Sequence, residues 1–177
     1  MSTMIDLRSD TVTLPSDKMR EAITGAKLGD DVFGEDPTIN ELEAKAAKIM
    51  GKEQGLLVPS GTMGNLVSIL VHCQRGTEII LGDKSHTFMY EAGGISAFGG
   101  IHSRQLKNQT DGTINIEDIH FSIRTDNVHF PKTAAIPLEN THNLCNGVPL
   151  LPEYIHEVAQ IAHNNNMKLH IDGARIF

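Results

Sequence analysis

The sequence KLHIDGARIF, Lys168 to Phe177, decides the fold prediction. Leu169 to Ile171 is a short, largely apolar run typical of a strand, and Asp172 stands where that strand would end. Gly173 then permits a sharp turn. In open α/β sheets ligands bind at the carboxyl ends of the strands. Asp172, with Arg175 three residues later, is therefore a candidate for binding a charged ligand.

Similar strand patterns recur through the preceding chain, with helical patterns between them. The predicted strands are 55–58, 78–81, 101–106, 134–138 and 168–171, and the predicted helices are 62–73, one that begins at Glu91, 116–123 and 152–162. Such alternation is typical of a mostly parallel sheet with helices on both faces, connected by right-handed crossovers. The predicted fold class is α/β.

The amino-terminal residues do not continue this alternation. Residues 1–28 are predicted to form an N-terminal arm with one helix, for which Ser16 is the N-cap. A loop rich in Gly and Asp follows, and Asp36 and Pro37 begin the next helix. Residues 29–177 are predicted to be the first part of a larger domain.

The composition limits the classes of partner that are expected for this chain. The chain has 177 residues, of which 40% are hydrophobic and 21% charged, as in an ordinary globular domain. The net charge is −7, and Lys and Arg form no cluster, so neither nucleic acid nor an anionic membrane is predicted as a partner.

Cysteine use and the amino terminus bear on the compartment. Cys73 and Cys145 have no CxxC partner and no zinc-ligand spacing, which favours reduced thiols. The first ten residues carry charges and lack the apolar core of a signal peptide, and no run approaches transmembrane length. A cytoplasmic protein is predicted, with a mitochondrial location as the alternative.

Polar residues follow four of the predicted strands. They are Ser60 to Thr62, Asp83 with His86, Glu139 to Asn143, and Asp172 with Arg175. Because the carboxyl ends of parallel strands share one edge of the sheet, we expect these groups to meet there. Turn chemistry also enriches strand ends in Gly, Asp and Asn, which is the ordinary explanation of the pattern.

Ser60, Gly61 and Thr62 lie between a predicted strand and a predicted helix. Free N–H groups at a helix start, with two hydroxyl groups beside them, suit a phosphate. The stretch matches neither GxxxxGK[ST] nor GxGxxG, and an ordinary capped helix is the competing interpretation.

The candidate histidines and the candidate carboxylate each have two interpretations. His86 could stack on a flat ligand ring or act as a base, or it could be a polar surface residue. The same interpretations apply to His129. The histidine spacings do not match a zinc site, so no metal is predicted. Asp172 could be a turn residue or the partner of a positively charged ring nitrogen, whose protonated form a carboxylate favours.

Five stretches together resemble the low-specificity threonine aldolases, which are fold-type I pyridoxal phosphate (PLP) enzymes related to aspartate aminotransferase. The stretches are DLRSDTVT (6–13), GDDVFGEDPT (29–38), PSGTMGN (59–65), ENTHN (139–143) and HIDGAR (170–175). They occur in the family's order across the whole chain. The resemblance implies a partial fold-type I large domain with PLP as cofactor.

The resemblance also implies a role for individual residues at the cofactor. Gly61 and Thr62 match positions that hold the PLP phosphate, and His86 matches the histidine that stacks on the pyridine ring. Asp172 matches the carboxylate paired with the ring nitrogen. Arg175 matches the arginine beside the ring hydroxyl, which also binds the substrate carboxylate.

The implied reaction is retro-aldol cleavage of L-threonine or L-allo-threonine to glycine and acetaldehyde. Ser9 matches a serine that also holds the substrate carboxylate. His129 matches a second histidine near the substrate hydroxyl, and the choice of base between His86 and His129 stays open. The resemblance further implies a small-molecule substrate, a β-hydroxy-α-amino acid, and a homo-oligomer with sites at the subunit interface.

The sequence departs from the family pattern in two ways, by one substitution and by residues that the 177-residue sequence does not include. Phe33 stands where the family usually has tyrosine. The family's Schiff-base lysine, a further substrate-binding arginine and the small carboxy-terminal domain follow the HIDGAR motif, beyond Phe177. The 177-residue chain is therefore predicted to be truncated, catalytically incompetent and marginally folded, with unpaired sheet edges.

Three alternatives to an aldolase remain. One is a related PLP-dependent β-eliminating lyase, which would share the cofactor residues. Another is a non-catalytic truncated isoform or remnant that binds PLP or partner subunits. The third is a structural fragment that binds no ligand.

Overall fold

The computed structural model describes residues 5, 6 and 8–177. Residues 1–4 and 7, which belong to the predicted arm, lie outside the described residues. The chain divides into two compact units at Leu57/Val58. The predicted boundary between arm and domain, after residue 28, stays a prediction.

The first unit contains short helices whose starts follow from the local sequence. Its elements are a 3-10 helix at Asp10–Val12, α1 at Asp17–Thr24 and α2 at Pro37–Met50. Ser16 Oγ accepts a hydrogen bond from the Met19 N–H (3.3 Å), and Asp36 Oδ1 accepts from the Thr38 and Ile39 N–H groups (2.9 Å each). Both predicted N-caps are confirmed.

The second unit is built on a parallel four-stranded sheet with the order β2-β1-β3-β4. Its strands are β1 (Glu78–Gly82), β2 (His102–Leu106), β3 (Thr133–Glu139) and β4 (Lys168–Asp172). Its helices are α3 (Gly61–His72), α4 (His86–Met89), α5 (Gly94–Ala97), α6 (Ile116–Ser122) and α7 (Pro152–Asn164), with a 3-10 helix at Asn143–Cys145. The α/β prediction is confirmed.

Two apolar clusters pack on opposite faces of this sheet, because side chains alternate along each strand. Ile79 and Leu81 of β1 pack with Ile69 of α3 and Ile95 of α5. Ile80, between them, belongs to the cluster on the other face, which includes Ile119 of α6 and Val158 of α7. The predicted helical cover on both faces is therefore confirmed.

The predicted strand at 55–58 is wrong, because these residues are outside the sheet. Leu56 and Leu57 are 72% and 50% exposed, and the Leu57 N–H donates to Glu43 Oε1 (2.7 Å) rather than to a neighbouring strand. A four-residue apolar run is too short for periodicity to separate a strand from a loop.

The predicted helix that begins at Glu91 is also wrong. Two four-residue helices, α4 and α5, lie on either side of Glu91. Ala92 and Gly93 between them have φ values of 53° and 66°, which interrupt a right-handed helix.

Two negative findings concern the described residues. No helix among them is long and apolar enough to cross a membrane. Both cysteines are buried and free.

Candidate functional site

The carboxyl edge of the sheet, where β1, β3 and β4 end, carries a partly buried polar cluster that we call the Asn65 cluster. Its members are Asn65, His86, Glu91, His170 and Asp172. Asn65 lies one turn inside α3 and is 6% exposed. Its Nδ2 donates to Asp172 Oδ2 (2.7 Å) and to Glu91 Oε1 (2.8 Å). One amide thus joins two carboxylates.

The amide oxygen of Asn65 meets a histidine of β4. His170 Nε2 lies 2.9 Å from Asn65 Oδ1, so His170 donates and carries a proton on Nε2. Burial lowers the pKa of His170, which favours the neutral ring.

His86 enters the same cluster through Glu91. His86 Nδ1 lies 2.9 Å from Glu91 Oε1, and the Glu91 side chain is 3% exposed whereas that of His86 is 41% exposed. The carboxylate thereby orients the imidazole while leaving part of the ring accessible. Ligand atoms of His86, Glu91 and Asp172 lie within 4.8 Å of one another.

Glu139, the last residue of β3, fixes the chain at His86 from a second direction. Its Oε2 accepts from the His86 backbone N–H (2.8 Å), and its Oε1 lies 3.5 Å from His142 Nδ1. Burial raises the pKa of Glu139, and the charge of Asp172 raises it further. Burial lowers the pKa of His142. Glu139 of the ENTHN stretch therefore helps to fix the backbone position of His86.

The first turn of α3 lies next to this same edge, since Asn65 at the start of the second turn contacts Asp172. Ser60 Oγ accepts from the Met63 N–H (3.1 Å), as in an ordinary N-cap. The N–H groups of Gly61 and Thr62, as the first of a helix, have no partner within it and can bind an anion. A side-chain Cβ built at Gly61 would meet nothing within 4 Å, so the approach to the helix start is open.

Asp172 and Arg175 complete the edge. Asp172 is the last residue of β4, and its Oδ1 accepts from the Ala174 N–H (3.2 Å). The charge of Arg175 lowers the pKa of Glu139, which indicates that the guanidinium is electrostatically coupled to the site.

Two predicted site residues are not among the members of the Asn65 cluster. His129 is in the loop that leads into the amino end of β3, whereas His86 follows the carboxyl end of β1. β3 has seven residues, so these two edges are roughly 20 Å apart. Ser9 belongs to the first unit, where its Oγ accepts from the Thr11 N–H (3.2 Å) as the cap of the 3-10 helix. The roles of both residues stay predictions.

Sequence reasoning missed Asn65, Glu91 and His170 as site residues. A signal existed for Asn65, since it lies four residues before Ile69 and so shares the buried face of an apolar helix. Glu91 and His170 carry no such signal, because a loop carboxylate and a strand histidine are common.

The sequence matches the family described as Beta-eliminating lyase over residues 6–177. The chain belongs to this family. It is 53% identical over 176 residues to the low-specificity L-threonine aldolase 1 of Arabidopsis thaliana, an alignment that covers 98% of this chain and 49% of that protein. It is 46% identical over 174 residues to the low specificity L-threonine aldolase of Escherichia coli K12, covering 98% of this chain and 51% of that one.

A solved structure of Leishmania major threonine aldolase has the same fold as this member of the Beta-eliminating lyase family. The TM-score is 0.70 at 18% identity, and the match covers 90% of this chain and 46% of that one. The predicted resemblance to threonine aldolases and the predicted fold are thus confirmed. The chain spans about half the length of the curated relatives it matches.

Proposed function

We propose that this chain forms part of the cofactor and substrate site of a PLP-dependent lyase that cleaves L-threonine and L-allo-threonine to glycine and acetaldehyde. The observation that carries the proposal is the Asn65 cluster beside the start of α3. The identities of 53% and 46% to proteins named as low-specificity threonine aldolases support the same reaction.

The chemistry of the donors fits PLP. Gly61 and Thr62 would hold the phosphate dianion at the helix start, where the N–H groups and the helix dipole favour negative charge. Asp172 would pair with the protonated ring nitrogen. Asn65, which contacts Asp172, lies about 6 Å along α3 from Gly61, so the phosphate end and the nitrogen end of the site are about one helical turn apart. His86, with a partly exposed ring, would stack on the pyridine.

The remaining roles follow from charge and proton transfer. PLP, when bound, accepts the electron pair that is released as the Cα–Cβ bond of the substrate breaks. Arg175 and Ser9 would bind the substrate carboxylate. His86 would take the proton of the substrate hydroxyl as acetaldehyde leaves, and its Nδ1 contact with Glu91 orients the ring for this role.

The proposed role of His129 differs from that of His86 because His129 lies at the other edge of the sheet. Because its loop leads into the amino edge of β3, His129 would approach the substrate hydroxyl from a neighbouring copy of the chain. A homo-oligomer with sites at the subunit interface is part of the proposal. Buried free thiols at Cys73 and Cys145 support a cytoplasmic location.

A β-eliminating lyase is the second candidate, and the family match itself favours it. A chimera separates the two: this chain replaces the corresponding half of the Arabidopsis thaliana low-specificity aldolase 1. Acetaldehyde from L-threonine and L-allo-threonine, lost in the His86→Ala and Asp172→Asn chimeras, is the expected result. Pyruvate from L-serine without acetaldehyde would refute the aldolase proposal in favour of elimination.

The 177-residue chain by itself is expected to bind PLP without turnover. Titration with PLP followed by borohydride and mass spectrometry tests this expectation. Acetaldehyde produced by the chain alone would contradict it, and a cofactor fixed by borohydride to one lysine would show that the chain supplies a Schiff-base lysine outside the family's motif. Failure to bind PLP at all would leave a remnant that binds partner subunits or a structural fragment that binds no ligand.

A further inference from the structure

Asn65 uses every polar atom of its side chain in the cluster. Its Nδ2 donates to Asp172 and Glu91, and its Oδ1 accepts from His170 Nε2. The amide orientation follows from this chemistry, because two carboxylates only accept and a flipped amide would set its oxygen against both.

The bridge connects the two functional ends of the edge. Glu91 Oε1 receives Asn65 on one side and His86 Nδ1 on the other. Asp172 and His86 are therefore linked through Asn65 and Glu91 in one continuous hydrogen-bonded chain. Besides Asn65, Asp172 is held by the more distant Ala174 N–H (3.2 Å).

A neutral bridge has a physical consequence that a charged one would not have. Glu91 and Asp172 bring like charges within 4.8 Å, and the two amide N–H groups offset their repulsion. Arg or Lys at this place would neutralise the carboxylates. Asparagine holds them together and leaves their negative charge available to a positively charged ligand atom.

We propose that Asn65 is a positioning residue that holds Asp172 toward a ring nitrogen and makes the site select ligands with a protonatable ring. This inference rests on the proposed function and adds to it the residue that sets selectivity at the nitrogen end. The phosphate end depends on Gly61 and Thr62 and is expected to be independent of Asn65.

The test compares two ligands that carry no aldehyde and so need no lysine. Pyridoxine 5′-phosphate and its benzene analogue, in which C–H replaces the ring nitrogen, are titrated into the 177-residue chain by calorimetry. The wild-type chain is expected to prefer the pyridine by roughly tenfold or more, as for a charge-assisted hydrogen bond. In Asn65→Leu the preference is expected to fall below about threefold, with the analogue's Kd within about twofold of wild type.

Thr62→Val is the matched control at the opposite end of the site. It is expected to weaken both ligands equally and to keep their ratio. Asn65→Ala provides a second variant in case leucine is not accommodated, and the circular dichroism spectrum establishes that each variant is folded.

The outcomes separate the two proposals. An unchanged ratio in a folded Asn65 variant would overturn the positioning role alone, whether both ligands bind as to the wild type or both are weakened equally. Binding of neither ligand by the wild-type chain would overturn the proposed cofactor site, and this inference with it.

Discussion

Glu78, at the start of β1, is a fully buried carboxylate, and Glu78→Gln is expected to destabilise the fold. Arg124 donates to both of its oxygens, from Nε to Oε1 (3.2 Å) and from Nη2 to Oε2 (3.3 Å). Arg104 Nη1 lies 3.9 Å from Oε1, and His102 Nε2 lies 3.6 Å from Oε2. The side chain of Glu78 is 0% exposed, so water cannot replace these partners.

The magnitude follows from the two bonds to Arg124. A hydrogen bond to a charged group contributes about 1.5–3 kcal/mol, and these two are long, so each is taken at about 1.5 kcal/mol. Glutamine keeps one acceptor oxygen and turns an N–H toward the guanidinium, which loses one bond and weakens the other. The expected loss in the free energy of unfolding is about 2–3 kcal/mol. Arg124 is 28% exposed and regains some hydration, which keeps the value below the usual cost of breaking a buried pair.

Urea unfolding followed by circular dichroism measures this loss. Glu157→Gln, on the exposed face of α7, is the control and should change the free energy by less than about 0.5 kcal/mol. Arg124→Gln should cost a similar amount to Glu78→Gln, and the double variant little more than either alone. A loss below about 1 kcal/mol for Glu78→Gln would refute the reasoning, since the desolvation of Glu78 would then cancel its ion pairs.

Three further outcomes are expected. Burial lowers the pKa of His142 and His170, so below about pH 6.5 the unfolded chain binds more protons than the folded chain. The free energy of unfolding is therefore expected to fall as the pH falls, by up to about 2.7 kcal/mol per pH unit for the two histidines together. Urea titrations from pH 7.5 to 5.5 measure the slope, and the double histidine-to-glutamine variant should flatten it; an equal slope there would contradict the assignment. Ile136→Ala, at a 0% exposed position of β3, should cost about 3–4 kcal/mol in the same assay, against about 1 kcal/mol for Ile136→Val. The added methyl group of Gly82→Ala would overlap the Asn108 side chain and should lower the free energy of unfolding by about 1–3 kcal/mol, a loss that Asn108→Ala should partly relieve. If the losses of the two substitutions simply add in the double variant, the overlap is not the cause.

Most of the fold was predictable because its signals are local. The apolar run before Asp172, the N-caps Ser16 and Asp36, and the helical stripe of α3 each act within a few residues of the chain. The errors at 55–58 and at Glu91 arose where local signals conflict. A short apolar run has no defined period, and positive φ at Ala92 and Gly93 divides one predicted helix into two.

The candidate site was only half predictable, for a different reason. The sheet edge that gathers Asp172, His86 and Glu139 follows from the parallel direction of the strands, which the alternating pattern predicts. The partners that orient these residues do not follow, because Asn65 acquires its role from Asp172 and His170 more than 100 positions away, and the contact of Glu91 with His86 crosses an irregular turn. Individual hydrogen bonds of this kind depend on side-chain packing, which no periodicity encodes.

The bond between Asn65 and Asp172 joins residues 107 positions apart, and this separation has a consequence for biosynthesis. At about 5–20 residues per second, a ribosome adds Asp172 roughly 5–20 s after Asn65. During that interval α3 and β1 exist without β4, and the amide has neither its aspartate nor its histidine partner. A chaperone that shields the carboxyl edge of the nascent sheet would therefore act on this protein before β4 emerges.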